Sequence, residues 1–163
     1  MPKLSQGDIF AAVADRRADL AIIFGHIGFN AMHSTWHAWK KSVPRLANVR
    51  DPFFEISGKA LLISEGQWVW FVTGREDHGM TDAQLITALD SALSWATSVG
   101  VTSVITNGIA EADYYYCQES DLKRVSDDRR ARLLIQYASE QEKATGLSIE
   151  LISLNTVFVR NVA

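Results

Sequence analysis

A compact polar cluster follows an apolar run near the middle of the chain. Its residues, Arg75-Glu76-Asp77-His78-Gly79, bring a guanidinium, two carboxylates and an imidazole into one short segment. Such a set can bind phosphate through the arginine or move protons through the imidazole and carboxylates. We therefore take Asp77 and His78 as the candidates for activating a water molecule, with a solvated turn as the alternative interpretation.

A second arrangement of histidines has the spacing of metal ligands. His33 and His37 are four residues apart, as two zinc ligands on one helix turn are. No glutamate follows the first histidine, so the metalloprotease motif is absent, and a third ligand such as His78 would have to come from elsewhere. The flank of an amphipathic helix explains the pair better, so the sequence predicts no bound metal and no cofactor.

Two further segments could contact a ligand. Gly25-His26-Ile27-Gly28 follows an apolar run, and a glycine-containing loop there can present main-chain N–H groups to an anion. A tyrosine of Tyr114-Tyr115-Tyr116 could stack on a base or ribose, cover the edge of the core or form a subunit contact. Cys117 beside them is interpreted as a small buried hydrophobic residue.

Composition bounds the class of protein. The chain has 163 residues, 47% hydrophobic and 21% charged, with a net charge of -3. We expect a single domain over residues 1–163, with no membrane span and no general nucleic-acid binding. One cysteine excludes an intramolecular disulfide framework and fits a reducing compartment, so we expect a cytoplasmic protein.

Short apolar runs predict the strands. Residues 20–24 are apolar throughout, as in a strand buried on both faces. The runs 60–63 and 68–72 flank a turn and predict a hairpin, in which Trp68 and Trp70 point to the same side. Two such aromatic residues on an outer strand would suit a subunit contact, so a homodimer stays open. Further strands are predicted at 101–105 and 149–154.

Amphipathic stretches between these runs predict helices. The first helix covers 29–41. The second begins with a capping box at Thr81 and ends near Gly100. The third covers 126–146, with Ser126 as its N-cap. We expect residues 109–125 to be irregular. Strand–helix alternation predicts a three-layer α/β/α fold with a mixed, mostly parallel central sheet. Ligands bind such sheets at the carboxyl ends of strands, here the loops at 25–32, 73–80 and 106–120.

The segment order and several local matches resemble a macro domain of the Appr-1''-p processing type, the ADP-ribose-binding α/β/α fold. The resemblance covers roughly residues 5–155 and is greatest to the subgroup that removes ADP-ribose from glutamate or nucleobases. Gln6-Gly7-Asp8-Ile9 is similar to the start of that family, where the aspartate contacts adenine. Similar stretches follow at 24–41, 58–74, 81–100 and 101–109.

The resemblance implies that the protein binds ADP-ribose or a related nucleotide and hydrolyses an ADP-ribose linkage if it is an enzyme. The residues that it implies at the ligand are Asp8, Gly25, His26, Gly28, Asn30, Arg75, Asn107, Gly108, Ile109 and Tyr115. The chain also departs from the family. Arg75 stands where the hydrolytic subgroup has a lysine, and arginine can neither form a Schiff base nor act as a base. Residues 32–37 are bulky where small residues are usual.

Two alternatives follow from these departures. The protein could be a non-catalytic macro-like scaffold in protein–protein interaction or assembly, with Trp36 and His37 filling the pocket. It could also be a metal-dependent hydrolase that uses His33, His37 and His78.

Overall fold

The computed structural model of the protein describes residues 1–26, 40–41, 44, 48, 58–64, 66–74, 82–107 and 120–153. Within these ranges, residues 25–26, 64, 73–74 and 120–130 are described by their main chain alone. The predicted helix at 29–41 falls outside the described residues except for Lys40 and Lys41, which are helical.

Strands and helices both occur along the described part of the chain. The strands are β1 (Lys3–Gln6), β2 (Leu20–His26), β3 (Ala60–Ser64), β4 (Gln67–Gly74), β5 (Ser103–Thr106) and β6 (Ser148–Ser153). The helices are α1 (Ile9–Ala14), α2 (Asp82–Ser98) and α3 (Ser120–Thr145).

The strands form one sheet in the order β1-β6-β5-β2-β4-β3. Only the β3–β4 hairpin pairs antiparallel; the four other neighbouring pairs are parallel. The prediction of a mixed, mostly parallel sheet is confirmed. β2 lies between β5 and β4, and its residues Leu20 to Phe24 are all buried, as their continuous apolar run predicts.

Helices cover both faces of this sheet. The apolar stripe of α2, which includes Leu85, Leu89 and Leu93, packs with α3 residues such as Leu134 on one face. On the other face, α1 buries Ile9, Phe10, Ala12 and Val13 against the sheet. Each helix is held by the apolar side chains that its 3.6-residue period places on one side. The described chain therefore has the three layers α/β/α that the sequence predicts.

The structure corrects the sequence-based element list in two places. Residues 120–125 are helical, so α3 begins at Ser120 and the prediction of an irregular segment through residue 125 is wrong for those residues. The predicted strand–helix series also omits β1 and α1, although both contribute to the fold. No helix among the described residues is both long enough and apolar enough to cross a bilayer.

The tryptophans of the hairpin pack inside the chain. Trp68 and Trp70 lie on the same face of β4, as predicted, and both contact Trp95 of α2, with ring centroids 5.0 and 5.7 Å apart. Trp70 is buried and the other two rings are partly buried. These contacts close the layer between α2 and β4, so the rings stabilise the fold and give no support to a subunit contact.

Candidate ligand site at the carboxyl edge of the sheet

The parallel strands bring several candidate residues to one edge of the sheet. β1, β6, β5, β2 and β4 all run in the same direction, so their carboxyl ends lie together. Asp8 follows β1, Gly25 and His26 end β2, and Asn107 follows β5. Four of the predicted site residues therefore share the edge at which ligands bind open α/β sheets.

Among the described residues, the unequal strand lengths leave a recess at this edge. β5 ends at Thr106, opposite Ile22 of β2 and Leu151 of β6. β2 continues to His26, paired with Gly74 of β4, and β6 continues to Ser153, paired with β1. Neighbouring strands lie about 4.8 Å apart, so β2 and β6 are separated by about 10 Å across the missing end of β5. We call this recess, between the last residues of β2 and β6, the β5 notch.

Asn107 closes the bottom of the β5 notch. Its side chain is buried, and its Oδ1 accepts a hydrogen bond of 2.8 Å from the main-chain N–H of Phe24. Its Nδ2 donates to the main-chain carbonyl of the same residue at 3.2 Å. The amide thus takes the place of the next β5 residue in the ladder and satisfies main-chain groups that would otherwise be buried without partners.

The last residue of β2 presents its main chain to the notch. In a parallel strand, the N–H and C=O groups of alternate residues point to opposite neighbours. Those of Phe24 point toward β5, so those of His26 point the same way. The β2–β5 pairing ends at Ile22 and Thr106, so no described residue of β5 lies opposite His26. The main chain of His26 is therefore a donor and acceptor at the wall of the notch.

Asp8 lies at the same edge, at the start of α1. Gly7 donates its N–H to the carbonyl of Ser153 at 2.9 Å, which turns the chain out of β1. Asp8 then caps α1, because its Oδ1 accepts a 2.9 Å hydrogen bond from the N–H of Phe10. No hydrogen bond to Oδ2 of Asp8 is found within the described ranges. Since a carboxylate accepts through both oxygens, Asp8 can cap the helix and bind a ligand donor together.

Gly7 has a conformation and a position that favour glycine. Its φ is +156°, and a Cβ there would lie 3.3 Å from Cδ1 of Ile152. A larger residue would have to adopt a rare φ and push against the core beneath α1. This turn sets where the carboxylate of Asp8 lies.

Most other predicted site residues lie outside the described residues. They are Gly28, Asn30, Arg75, Asp77, His78, Gly108, Ile109 and Tyr115, together with the histidines of the metal hypothesis, His33 and His37. Their roles stay predictions. Within the described ranges, no three His, Cys, Asp or Glu side chains lie close enough to hold a metal ion.

A buried carboxylate that the sequence reasoning missed lies away from the notch, on the α1 face. Glu150 of β6 is only 9% exposed. Its Oε1 accepts a 2.6 Å hydrogen bond from Oγ of Ser5 and an ion-paired hydrogen bond from Arg17, and Nζ of Lys3 is 3.8 Å away. These contacts tie β1 and the chain after α1 to β6. The alternation of Lys3, Leu4 and Ser5 along β1 could have indicated a polar partner on that face.

A second polar pair joins the two helices on the other face. The hydroxyl of Tyr137 on α3 donates a hydrogen bond to the carboxylate of Asp90 on α2. Burial of the phenol, and then the hydrogen bond and the charge of Asp90, raise the pKa of Tyr137 well above its usual range. The tyrosine therefore stays protonated in the folded protein.

Comparison with known proteins gives similarity at the level of structure. No protein-family model matches the chain, and no curated protein matches it. Among solved structures, the chain is similar to the macrodomain of Thermus aquaticus DarG, with 10% identity over 95% of this chain and 98% of that one, at a TM-score of 0.44. Identity and TM-score this low assign neither a family nor a function to the chain.

Proposed function

We propose that this protein binds ADP-ribose, or a related nucleotide, at the carboxyl edge of its sheet. The β5 notch carries the proposal, because it is a recess at the centre of a parallel sheet with a main-chain donor on its wall. The resemblance of Gln6-Gly7-Asp8-Ile9 to the start of macro domains supports the choice of ligand.

The spacing of the donor and acceptor groups suits a long, bipolar ligand. Asp8 follows β1 and His26 ends β2, and three strand spacings separate these strands, about 14 Å. The carboxylate of Asp8 would accept a hydrogen bond from the exocyclic amine of a base. The N–H of His26 would donate to a phosphate oxygen in the notch. This arrangement keeps the negative phosphates away from the carboxylate of Asp8, because groups of the same charge repel each other.

Calorimetric titration with ADP-ribose tests the proposal, with ADP and NAD as comparison ligands. We expect micromolar affinity for ADP-ribose, which corresponds to about -8 kcal/mol. Asp8→Asn keeps a side-chain oxygen that can cap α1 but removes the carboxylate, so affinity should fall at least tenfold while stability changes little. No heat with any of the three ligands would contradict the proposal.

Asp15→Asn is the matched control for the charge. Asp15 lies at the opposite end of α1 and is exposed, so it carries the same charge at the other edge of the sheet. Its substitution should leave the dissociation constant within twofold of wild type. Equal losses in the Asp8 and Asp15 variants would mean that net charge alone affects binding.

Hydrolysis of an ADP-ribose linkage stays a prediction from Asp77 and His78, which lie outside the described residues. Release of ADP-ribose from a modified protein or nucleic acid, lost on His78→Ala, would test it. A non-catalytic scaffold remains the alternative, and a stable oligomer without nucleotide affinity would favour it.

A further inference from the structure

We infer that Asn107 is a positioning residue for the ligand site: its side-chain amide fixes the end of β2, and so the wall of the β5 notch, without touching the ligand. The inference rests on the proposed function. It starts from the two hydrogen bonds of 2.8 and 3.2 Å that join this amide to the N–H and carbonyl of Phe24.

The geometry explains why an amide is needed here. Phe24 still requires a donor and an acceptor on the β5 side, but β5 pairs with β2 only as far as Thr106. An asparagine amide carries an acceptor and a donor, so one side chain supplies both. Because the amide is 6% exposed, water has little access to replace it.

The consequence falls on the next residues of β2. Gly25 and His26 pair only with β4 among the described strands, at Thr73 and Gly74. Without the amide, β4 alone among the described strands would hold the segment after Ile23. The N–H of His26 would then lose its fixed direction into the notch, and affinity would fall through the cost of ordering it on binding.

Thr106 provides a matched control on the adjacent residue. Its hydroxyl donates to the carbonyl of Ile22 at 2.9 Å, so it also joins β5 to β2 through a buried side-chain hydrogen bond. That bond lies before the end of β5, where the ladder itself holds β2. Thr106→Val should therefore reduce stability without moving the end of β2.

The experiment compares wild type, Asn107→Leu and Thr106→Val in two measurements. One is amide hydrogen exchange at Phe24, Gly25 and His26, and the other is the dissociation constant for ADP-ribose at a temperature where all three proteins are folded. We expect Asn107→Leu to speed exchange and to raise the dissociation constant at least tenfold. Thr106→Val should change both by less than threefold.

A milder substitution keeps the test possible if Asn107→Leu does not fold. Asn107→Ala removes the amide but leaves space for a water molecule that can bond to the N–H and carbonyl of Phe24, so its exchange and affinity should lie between wild type and Asn107→Leu. If Asn107→Leu does not fold, Asn107→Ala alone is compared with Thr106→Val.

The outcomes separate this inference from the proposed function. If wild type binds ADP-ribose but Asn107 variants exchange and bind like Thr106→Val, the positioning role is overturned and the binding function stands. If wild type does not bind, the proposed function fails, and exchange alone then decides whether Asn107 holds the end of β2.

Discussion

Asn107 and Glu150 are both buried polar residues that hold two strands of one sheet together, but they do so in different ways. Asn107 is neutral, and both of its bonds go to the main chain of one residue, Phe24. Glu150 is a carboxylate, and its partners are the side chains of Ser5, Arg17 and Lys3. One lies at the candidate site, and the other lies on the α1 face.

Asn107 fixes the position of a main-chain segment, whereas the partners of Glu150 neutralise its charge. Because the amide of Asn107 bonds to both the N–H and the carbonyl of Phe24, it fixes the position of Phe24 relative to β5. A carboxylate paired with long cationic side chains can keep its pairs while the elements shift slightly, because those side chains are flexible. The carboxyl edge, where we propose that a ligand binds, has the rigid type of contact, and strand β1 at the border of the sheet has the adaptable type.

The largest effect on stability is expected at Asn107. Asn107→Leu has a similar size but leaves the N–H and carbonyl of Phe24 without partners in a buried position. We expect the free energy of unfolding to fall by about 3 kcal/mol, since each buried unpaired group costs about 1–3 kcal/mol. Urea unfolding measures it. A loss below about 1 kcal/mol would show that water enters the notch and replaces the amide.

A smaller loss is expected at Glu150, because its ionic partners are partly in water. Glu150→Gln keeps an acceptor for Ser5 but removes the charge that faces Arg17, whose side chain is 32% exposed. We expect a loss of about 1.5 kcal/mol, in the range of hydrogen bonds to charged groups. Glu140→Gln is the control. Glu140 is exposed on α3 and accepts a hydrogen bond from Gln136, so its substitution should cost about 0.5 kcal/mol at most.

If Glu150→Gln costs more than Asn107→Leu, the comparison between the two residues is wrong. The carboxylate would then be the main restraint on the sheet, and the amide would be a local contact. Unfolding of both variants under identical conditions decides the order.

Gly7 offers a third test at the carboxyl edge, with an expected loss similar to that of Glu150→Gln. Gly7→Ala should cost about 1.5 kcal/mol, because it combines an unfavourable φ with a close contact to Ile152. Gly66→Ala in the hairpin turn also has a positive φ, +75°, but nothing lies within 4 Å of its added Cβ. The difference between the two losses reports the close contact together with the rarer φ of Gly7. Equal losses would mean that the turn before Asp8 is not tightly packed.

The sequence predicted those elements whose apolar pattern is long enough to be distinctive. β2 is apolar from Leu20 to Phe24, and α2 carries a buried stripe over four turns. β1 is short and mostly polar, and α1 has only six residues, so neither shows a clear period. Asp8 before Ile9-Phe10 was a usable helix start signal.

The start of α3 shows why the boundaries of helices and strands are hard to predict from the sequence. Ser-Asp occurs at 120–121 and again at 126–127, and either pair can begin a helix. The apolar stripe of the helix is confined to its later part, which favoured the second pair. The structure begins the helix at the first, so the earlier turns are formed by a mostly polar segment.

The candidate site was predictable in place but not in its contacts. A strand end followed by Asn107-Gly108 indicated a loop near a ligand. The partner of Asn107 is 83 residues away in the chain, and the unequal lengths of β2, β5 and β6 become visible only when the strands are paired. Local sequence carries neither fact.

The smallest expected effect concerns the Tyr137–Asp90 pair, which combines a neutral donor with a charged acceptor. The folded protein raises the pKa of Tyr137, so the phenol keeps its proton when the unfolded chain loses it above about pH 10. The stability that this group contributes is therefore fully present below that pH and is lost as the pH rises further. We expect Tyr137→Phe to cost about 1 kcal/mol at pH 7, where it removes only the hydrogen bond.

Unfolding measured from pH 7 to pH 11 checks both parts of this prediction. The wild-type free energy of unfolding should fall more steeply above pH 10 than that of Tyr137→Phe, because the variant has no phenol to ionise at this position. Parallel curves would mean that the tyrosine ionises equally in the two states. The bond to Asp90 would then resemble an exposed contact. The contribution of the buried Asn107 amide to stability should not change over this pH range, because the N–H and carbonyl of Phe24 do not titrate.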